Sequence, residues 1–197
     1  MLIHLTRKAR LRIRVPLWLE IDREPQLELQ LPRPLPRVDV PPPAAGYRLR
    51  VFSASDESAL VGLLRRAGFA FTVDELRQAL LPCLPNGCFV IEHVSTGALV
   101  STMMGRHLAS LEHPFGGRID WLATDPAHRG LGLGAVCARS ATRRLMEAGF
   151  DDIRVTTDDA RLGALKIFLA AGFQPVLAAD TQDRWRRIHE QLNASRP

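Results

Sequence analysis

The run Arg129-Gly130-Leu131-Gly132-Leu133-Gly134 joins a strand-like segment, 118–124, to a helix-like one, 132–146. Asp125-Pro126-Ala127-His128 makes the turn between them. In the helix-like segment Leu133, Val136, Cys137, Ser140, Ala141 and Leu145 recur near the 3.6-residue period. Glycines at such a junction let backbone N–H groups approach an anion with no Cβ in the way. The helix N-terminus adds partial positive charge and Arg129 a full one, which makes a cradle for a phosphate or pyrophosphate. The same glycines also suit a plain tight turn.

Two phosphate-binding motifs compete for this run. Gly130-x-Gly132-x-x-Ala135 fits the loose form of a dinucleotide fingerprint. That motif opens a long doubly wound domain with an acidic residue at the end of the next strand. Asp158 and Asp159 stand near such a place, but too little chain follows to finish that sheet. A P-loop is excluded, because no Lys-Ser/Thr pair follows the glycines.

The company of the loop points elsewhere. Asp125-Pro-x-x-Arg129-Gly-x-Gly132-x-Gly134 resembles the acyl-CoA-binding signature of the GNAT acetyltransferase superfamily. Downstream, the stretch from Thr157 to Phe173, ending Ala164-Leu165-Lys166-Ile167-Phe168-Leu169-Ala170-Ala171-Gly172-Phe173, is similar to that superfamily's second motif. Gly172 also stands where a left-handed helix C-cap needs glycine. The two motifs span Ile119 to Val176, and a broader match begins near Gly46. The resemblance implies an α/β (α+β) fold: a central mixed, twisted sheet with a splayed strand pair and helices on both faces.

Periodicity and capping permit that order. The spacing predicts a strand over 47–52 and a helix over 55–67 capped by Ser55. A second helix over 72–81 has a Thr72/Glu75 capping box. Strands 88–93 and 98–107 form a hairpin around Ser95-Thr96-Gly97. After the signature strand and its helix come a strand over Ile153–Thr157, a helix over 161–171, a short strand over 173–177 and an amphipathic helix over 180–192.

Charge divides the chain in two. Residues 1–50 hold ten Lys/Arg against five Asp/Glu, and 51–197 hold sixteen of each, so the whole excess of +5 lies in the first quarter. Arg12 and Arg14 alternate with Leu11, Ile13 and Val15, and Leu27, Leu29 and Leu31 alternate with polar residues. Period-two alternation reads as half-exposed strands with solvated arginines rather than a nucleic-acid surface. Six prolines between Pro32 and Pro43 read as a semi-rigid linker. We therefore expect a basic, strand-like extension with its linker over 1–45, and the acetyltransferase domain over 46–197. The extension, with Leu17, Trp18 and Leu19 as an apolar patch, is expected to pack on the domain or on a second copy in a homodimer. No membrane span and no signal peptide is read, and Cys83, Cys88 and Cys137 have no metal-ligand spacing. These features predict a cytoplasmic protein with reduced thiols and no metal.

The resemblance also assigns a site. Backbone groups of Leu122, Ala123 and Thr124 would pair with pantetheine amides of acetyl-CoA. The N–H groups of Gly130, Leu131, Gly132, Leu133, Gly134 and Ala135 would hold the pyrophosphate, beside Arg129. An N–H at Leu122 would steady the thioester oxygen as it gains charge. The acceptor would be an amine, on a small molecule or a protein, attacking directly.

Asp120, an acid within an apolar strand two residues before Leu122 and expected on the same face, is the candidate base. A salt-bridged strand residue is the alternative. His93, His107 and His113 stand nearby and read as ordinary surface or capping residues. Phe168 occupies the place where the family usually carries a tyrosine able to reprotonate the thiolate, with Thr156, Thr157 or water as substitutes. Arg161 replaces an asparagine common in the family, and is a candidate for CoA phosphates or an acidic substrate, with a solvated helix-start arginine as the alternative. Two other readings stay open: a non-catalytic acyl-CoA-binding domain, suggested by Phe168, and a nucleotide-cofactor oxidoreductase.

Overall fold

The computed structural model describes residues 25–178 and 180–194. The segments 9–15 and 17–19, on which the expected packing of the extension turned, lie outside the described residues.

Seven strands form one sheet: β1 (Leu27–Gln30), β2 (Tyr47–Val51), β3 (Cys83–His93), β4 (Leu99–His107), β5 (Gly117–Thr124), β6 (Ile153–Thr157) and β7 (Gln174–Pro175), in the order β2-β3-β4-β5-β6-β1-β7. Five helices join them: α1 (Glu57–Arg66), α2 (Val73–Leu80), α3 (Leu133–Glu147), α4 (Leu162–Ala170) and α5 (Gln182–Ala194). All pairings are antiparallel except β5 with β6. The sheet is therefore mixed and helices cover both of its faces.

The two faces bury separate cores. Leu60, Leu63 and Leu64 of α1 and Leu76 of α2 pack with Val90 and Met104 on one face. On the other, α3, α4 and α5 supply Val136, Leu145, Leu165, Phe168, Trp185 and Ile188, packed with Ile91, Met103 and Ile119. Local signals hold where both partners lie within one turn. Thr72 Oγ1 accepts from Glu75 N at 3.2 Å while Glu75 Oε2 accepts from Thr72 N at 2.7 Å, closing the capping box. Gly172 follows α4 at φ +96°, in the left-handed region.

Elsewhere tertiary contacts move the boundaries. Ser53, rather than Ser55, starts the first helical segment, because Asp56 turns back to accept from Ser53 N at 2.8 Å through a short 3₁₀ turn. β3 begins at Cys83, five residues before the period-two reading, with an irregularity before Cys88. A Cβ on Gly87 there would come within 2.7 Å of Gly105 O.

β1 is no appendage. It inserts between β6 and β7, pairing Leu29 with Val155 and with Pro175. Leu27, Leu29 and Leu31 are at most 1 % exposed. Burial of such a side chain stabilises by roughly 1.5–3 kcal/mol each. Glu28, on the opposite face, accepts from Arg154 Nη1 at 2.7 Å. Val38 of the proline-rich stretch is also buried, and Arg139 Nη1 donates to Asp39 O at 3.1 Å, so this stretch is docked on α3. Arg184 ties the start of β1 to α5, donating to Pro25 O at 2.9 Å and to Asp159 Oδ2 at 3.0 Å. Among the described residues, no helix is long and apolar enough to cross a membrane.

Candidate functional site

The site follows from what β5 does at its middle. β5 pairs with β6 only through Gly117↔Ile153 and Arg118↔Arg154, after which the strands part. Against β4, Thr102 pairs with Ala123 and Met104 with Asp120, so Trp121 and Leu122 oppose the single residue Met103. This two-against-one bulge holds Trp121 at φ +63°, a left-handed conformation costing roughly 1–3 kcal/mol in a non-glycine residue. The Phe69 and Phe71 rings meet its indole edge-on, at 5.7 and 4.6 Å, and hold it there.

The bulge overturns one expectation. Leu122 joins the core beneath α3, whereas Asp120 pairs with Met104 and Ala123 joins the core beneath α1 and α2. Asp120 and Leu122 therefore lie on opposite faces, because the extra residue between them breaks the period of two.

Two cavities meet at the splay. The larger, about 640 Å³, runs from Leu122, Ala123 and Thr124 past Arg129, Gly130 and Gly132 to α4. Gly130 (φ +80°) and Gly132 (φ +73°) both adopt left-handed backbone, and no atom lies within 4 Å of where a Cβ would stand on either. Gly132 caps α3, and its carbonyl accepts from Ala135 N and Val136 N at 3.1 and 3.2 Å. Ala135 N, expected to face the pyrophosphate, is thus turned to Gly132 O, while the N–H groups of Leu133 and Gly134 precede the first helical bond and suit an anion. Open space over a left-handed glycine pair at a helix N-terminus fits the phosphates of a CoA ester.

Gly134 works differently. It is buried, and a Cβ there would press on Ile167 Cδ1 at 3.0 Å and Thr124 Oγ1 at 3.1 Å. Its glycine serves the close packing of α3 on α4 and β5. Of the residues read from sequence as cofactor contacts, all but Leu131 and Phe168 line this cavity. The Leu131 side chain is exposed, and Phe168 lines the other cavity, packed edge-on against Phe173 at 6.1 Å.

The second cavity, about 210 Å³, lies across the splay between β4, β5, β6 and α4. Asp120 lies here, salt-bridged through both oxygens: Arg106 Nη1 reaches Oδ2 at 2.8 Å and Arg118 Nη2 reaches Oδ1 at 3.0 Å. Arg118 Nη2 also donates to Thr156 Oγ1 at 2.8 Å. Thr157 lines the wall beside Phe168. Arg161 lies where the two cavities meet, donating to Leu122 O at 3.0 Å and lying over the Phe69 ring at 4.4 Å. Burial depresses the pKa of its guanidinium.

Several contributors were invisible in sequence. Sequence assigns Arg106 and Arg118 no role; Arg118 lies two residues before Asp120 on β5, and the β4–β5 register brings Arg106 alongside. Tyr47 OH lies 2.8 Å from His128 Nδ1, joining the first strand of the family-like region to the residue before Arg129. His93 Nδ1 lies 3.0 Å from Thr96 Oγ1, and its ring stands 5.4 Å from His128. His107 meets Pro114 O, and His113 meets Asp152, both away from the two cavities. The cysteines are not poised to react: burial pushes the Cys83 thiol up to about 11 and Cys137 up to about 12.

Known proteins resemble this chain in sequence and fold. The model of the GNAT acetyltransferase family matches residues 50–173. A mycothiol acetyltransferase from Thermobispora bispora is 31 % identical over 151 residues, 71 % of this chain and 49 % of that protein. The chain thus spans about half the length of this curated relative. A GCN5-related N-acetyltransferase from Sphaerobacter thermophilus superposes with TM-score 0.64 at 18 % identity, over 76 % of this chain and 48 % of that one. An acetyltransferase from Salmonella typhimurium, solved with its cofactor acetyl-CoA, superposes with TM-score 0.53 at 16 % identity, over 66 % and 80 %. At those identities the two structures speak for the fold alone, while the family model speaks for descent. The chain belongs to the GNAT family of acetyltransferases.

Proposed function

We propose that this protein moves an acetyl group from acetyl-CoA to the amine of an acceptor, with the CoA ester in the larger cavity and the amine in the smaller. The observation that carries this reading is the meeting of the two cavities at Leu122, Arg161 and Ala164, where β5 and β6 part. Acetyl-CoA supplies the activated acyl thioester. The chain supplies the cradle of Gly130, Gly132 and the α3 N-terminus for phosphates, with Arg129 beside it. The strand edge at Leu122, Ala123 and Thr124 offers hydrogen-bonding groups to the pantetheine arm.

An incoming ammonium must lose a proton before its nitrogen can attack. Asp120 stands at the acceptor end to receive that proton or relay it, with Arg106 and Arg118 fixing its orientation. The nitrogen lone pair forms the amide bond and the C–S electron pair leaves with sulfur. A proton from nitrogen ends on the thiol. Phe168 offers no hydroxyl for that last transfer, so solvent would supply the proton, directly or relayed through the Thr157 hydroxyl.

Acetyl-CoA is expected to raise the melting temperature where NAD(H) does not, and thiol release from acetyl-CoA is expected with an amine panel. NAD(H) stabilisation alone would point to an oxidoreductase. Phe168 favours a second reading, a non-catalytic acyl-CoA-binding domain: tight acetyl-CoA binding with no thiol release for any amine would select it.

A further inference from the structure

We infer that the acceptor is an amine that also carries a carboxylate, of the size of a free amino acid with an apolar side chain. This rests on the proposed transferase function and names the substrate class of the smaller cavity. The charged groups lining that cavity are Arg106, Arg118, Arg161 and Asp120, three guanidiniums against one carboxylate. Asp120 is shared by two of the arginines, and Arg161 has a backbone carbonyl and the Phe69 ring.

The surroundings make the excess charge costly. The side chains of Arg106 and Asp120 are only 13 % and 11 % exposed, and that of Arg118 33 %. Positive charge held out of water without a matching anion is unfavourable, and a ligand carboxylate would relieve it through charge-assisted, bidentate contacts. Donors also exceed acceptors here: Arg106 Nε, Arg118 Nε and Trp121 Nε1 are buried with no hydrogen-bond partner among the described residues.

Among the described residues, nearby acids leave Arg106 and Arg118 with Asp120 alone: Asp158 acts on Arg161 instead and does not line the cavity. Arg154, next along β6, is matched by its own acids, Glu28 at 2.7 Å and Asp152 at 2.8 Å, and none of these three lines the cavity. Nor is the excess explained by CoA phosphates, because Arg106 and Arg118 line the smaller cavity and not the larger.

Size and walls narrow the class. About 210 Å³ falls below the roughly 300–1,000 Å³ of sites for drug-sized ligands. Met103, Leu108, Ile119 and Val155 give one apolar wall. A zwitterion suits this arrangement: carboxylate toward the arginines, ammonium toward Asp120, apolar side chain against the wall. A lysine side chain or a peptide N-terminus brings the amine without the adjacent carboxylate.

The test uses the full chain and matched pairs: leucine with leucinamide, and methionine with methioninamide. Binding is read by calorimetry with CoA present, and turnover by thiol release from acetyl-CoA. We expect the free acids to exceed their amides by at least about tenfold in kcat/KM, the loss of one charge-assisted contact. Arg118→Gln should bring each pair near parity while acetyl-CoA affinity stays as it was, and Arg118→Lys should recover part of the preference. Turnover of amides as fast as acids would overturn the carboxylate inference and leave the transferase reading standing. Acids bound over amides with no turnover would do the reverse. Failure of both members of every pair to bind would overturn the inference outright.

Discussion

The two cavities differ in how they are made. The cradle beside α3 comes from one turn: Asp125 through Ala135 carry the glycines, the cation and the helix start, and the groups it offers are largely backbone N–H. The arginine-lined cavity takes side chains from β4, β5, β6, α4 and the segment before β1. A backbone cradle tolerates change in neighbouring side chains, whereas a side-chain cavity fails when any contributing strand shifts. On the proposed reading the first would serve many acceptors unchanged, and the second is where one acceptor would be chosen.

The largest expected effect tests whether β1 props up the second cavity. Leu29→Ala should cost about 2–5 kcal/mol and lower the melting temperature by roughly 5–15 °C. It should raise the acceptor KM more than the acetyl-CoA Kd, because β1 braces β6. Equal changes in both would erase the distinction between the regions.

Next, Asp120→Asn should depress kcat/KM at neutral pH by about 10²-fold and flatten the acidic limb of the profile. Acetyl-CoA affinity should hold. An unchanged pH profile would return Asp120 to a purely structural part beside Arg106 and Arg118.

On the cradle side, Gly132→Val should weaken acetyl-CoA binding by about tenfold or more, measured by calorimetry on protein shown to be folded. A Cβ there meets no protein atom within 4 Å, but it adds strain at φ +73° and intrudes on the open space over the helix end. Intact affinity in that variant would remove phosphates from the cradle. Smallest is Phe168→Tyr: a gain in kcat of up to about tenfold if thiolate protonation limits turnover, short of the 10²–10⁴ of a fully engaged acid. No gain would mean that solvent already handles that step.

How much was legible in the chain follows the same division. Gly130 and Gly132 could be read because their requirement, a left-handed backbone at a helix start, is local. The Thr72/Glu75 box and Gly172 are local in the same way. Arg106 with Asp120 could not be read, since they are fourteen residues apart and meet through a register that includes an irregularity. The bulge itself was hidden, because the apolar run Trp121-Leu122-Ala123 suits a strand buried on both faces as well as a bulge, and only the partner strand shows the extra residue.

The N-terminal quarter shows the limit most plainly. The alternation of Leu27, Leu29 and Leu31 identified a strand with one buried face, and nothing in it said which strands would flank it. Its seat between β6 and β7 was decided by long-range pairing with Val155 and Pro175 and by burial of its leucines in the core under α3, α4 and α5. By itself the sequence determined the element types, the glycine cradle and the family resemblance, because backbone dihedral demands and hydrophobic periods act over a few residues. The tertiary structure alone decided the faces of β5, the company of Asp120 and the place of β1, because strand register and bulges are settled by partners distant in the chain.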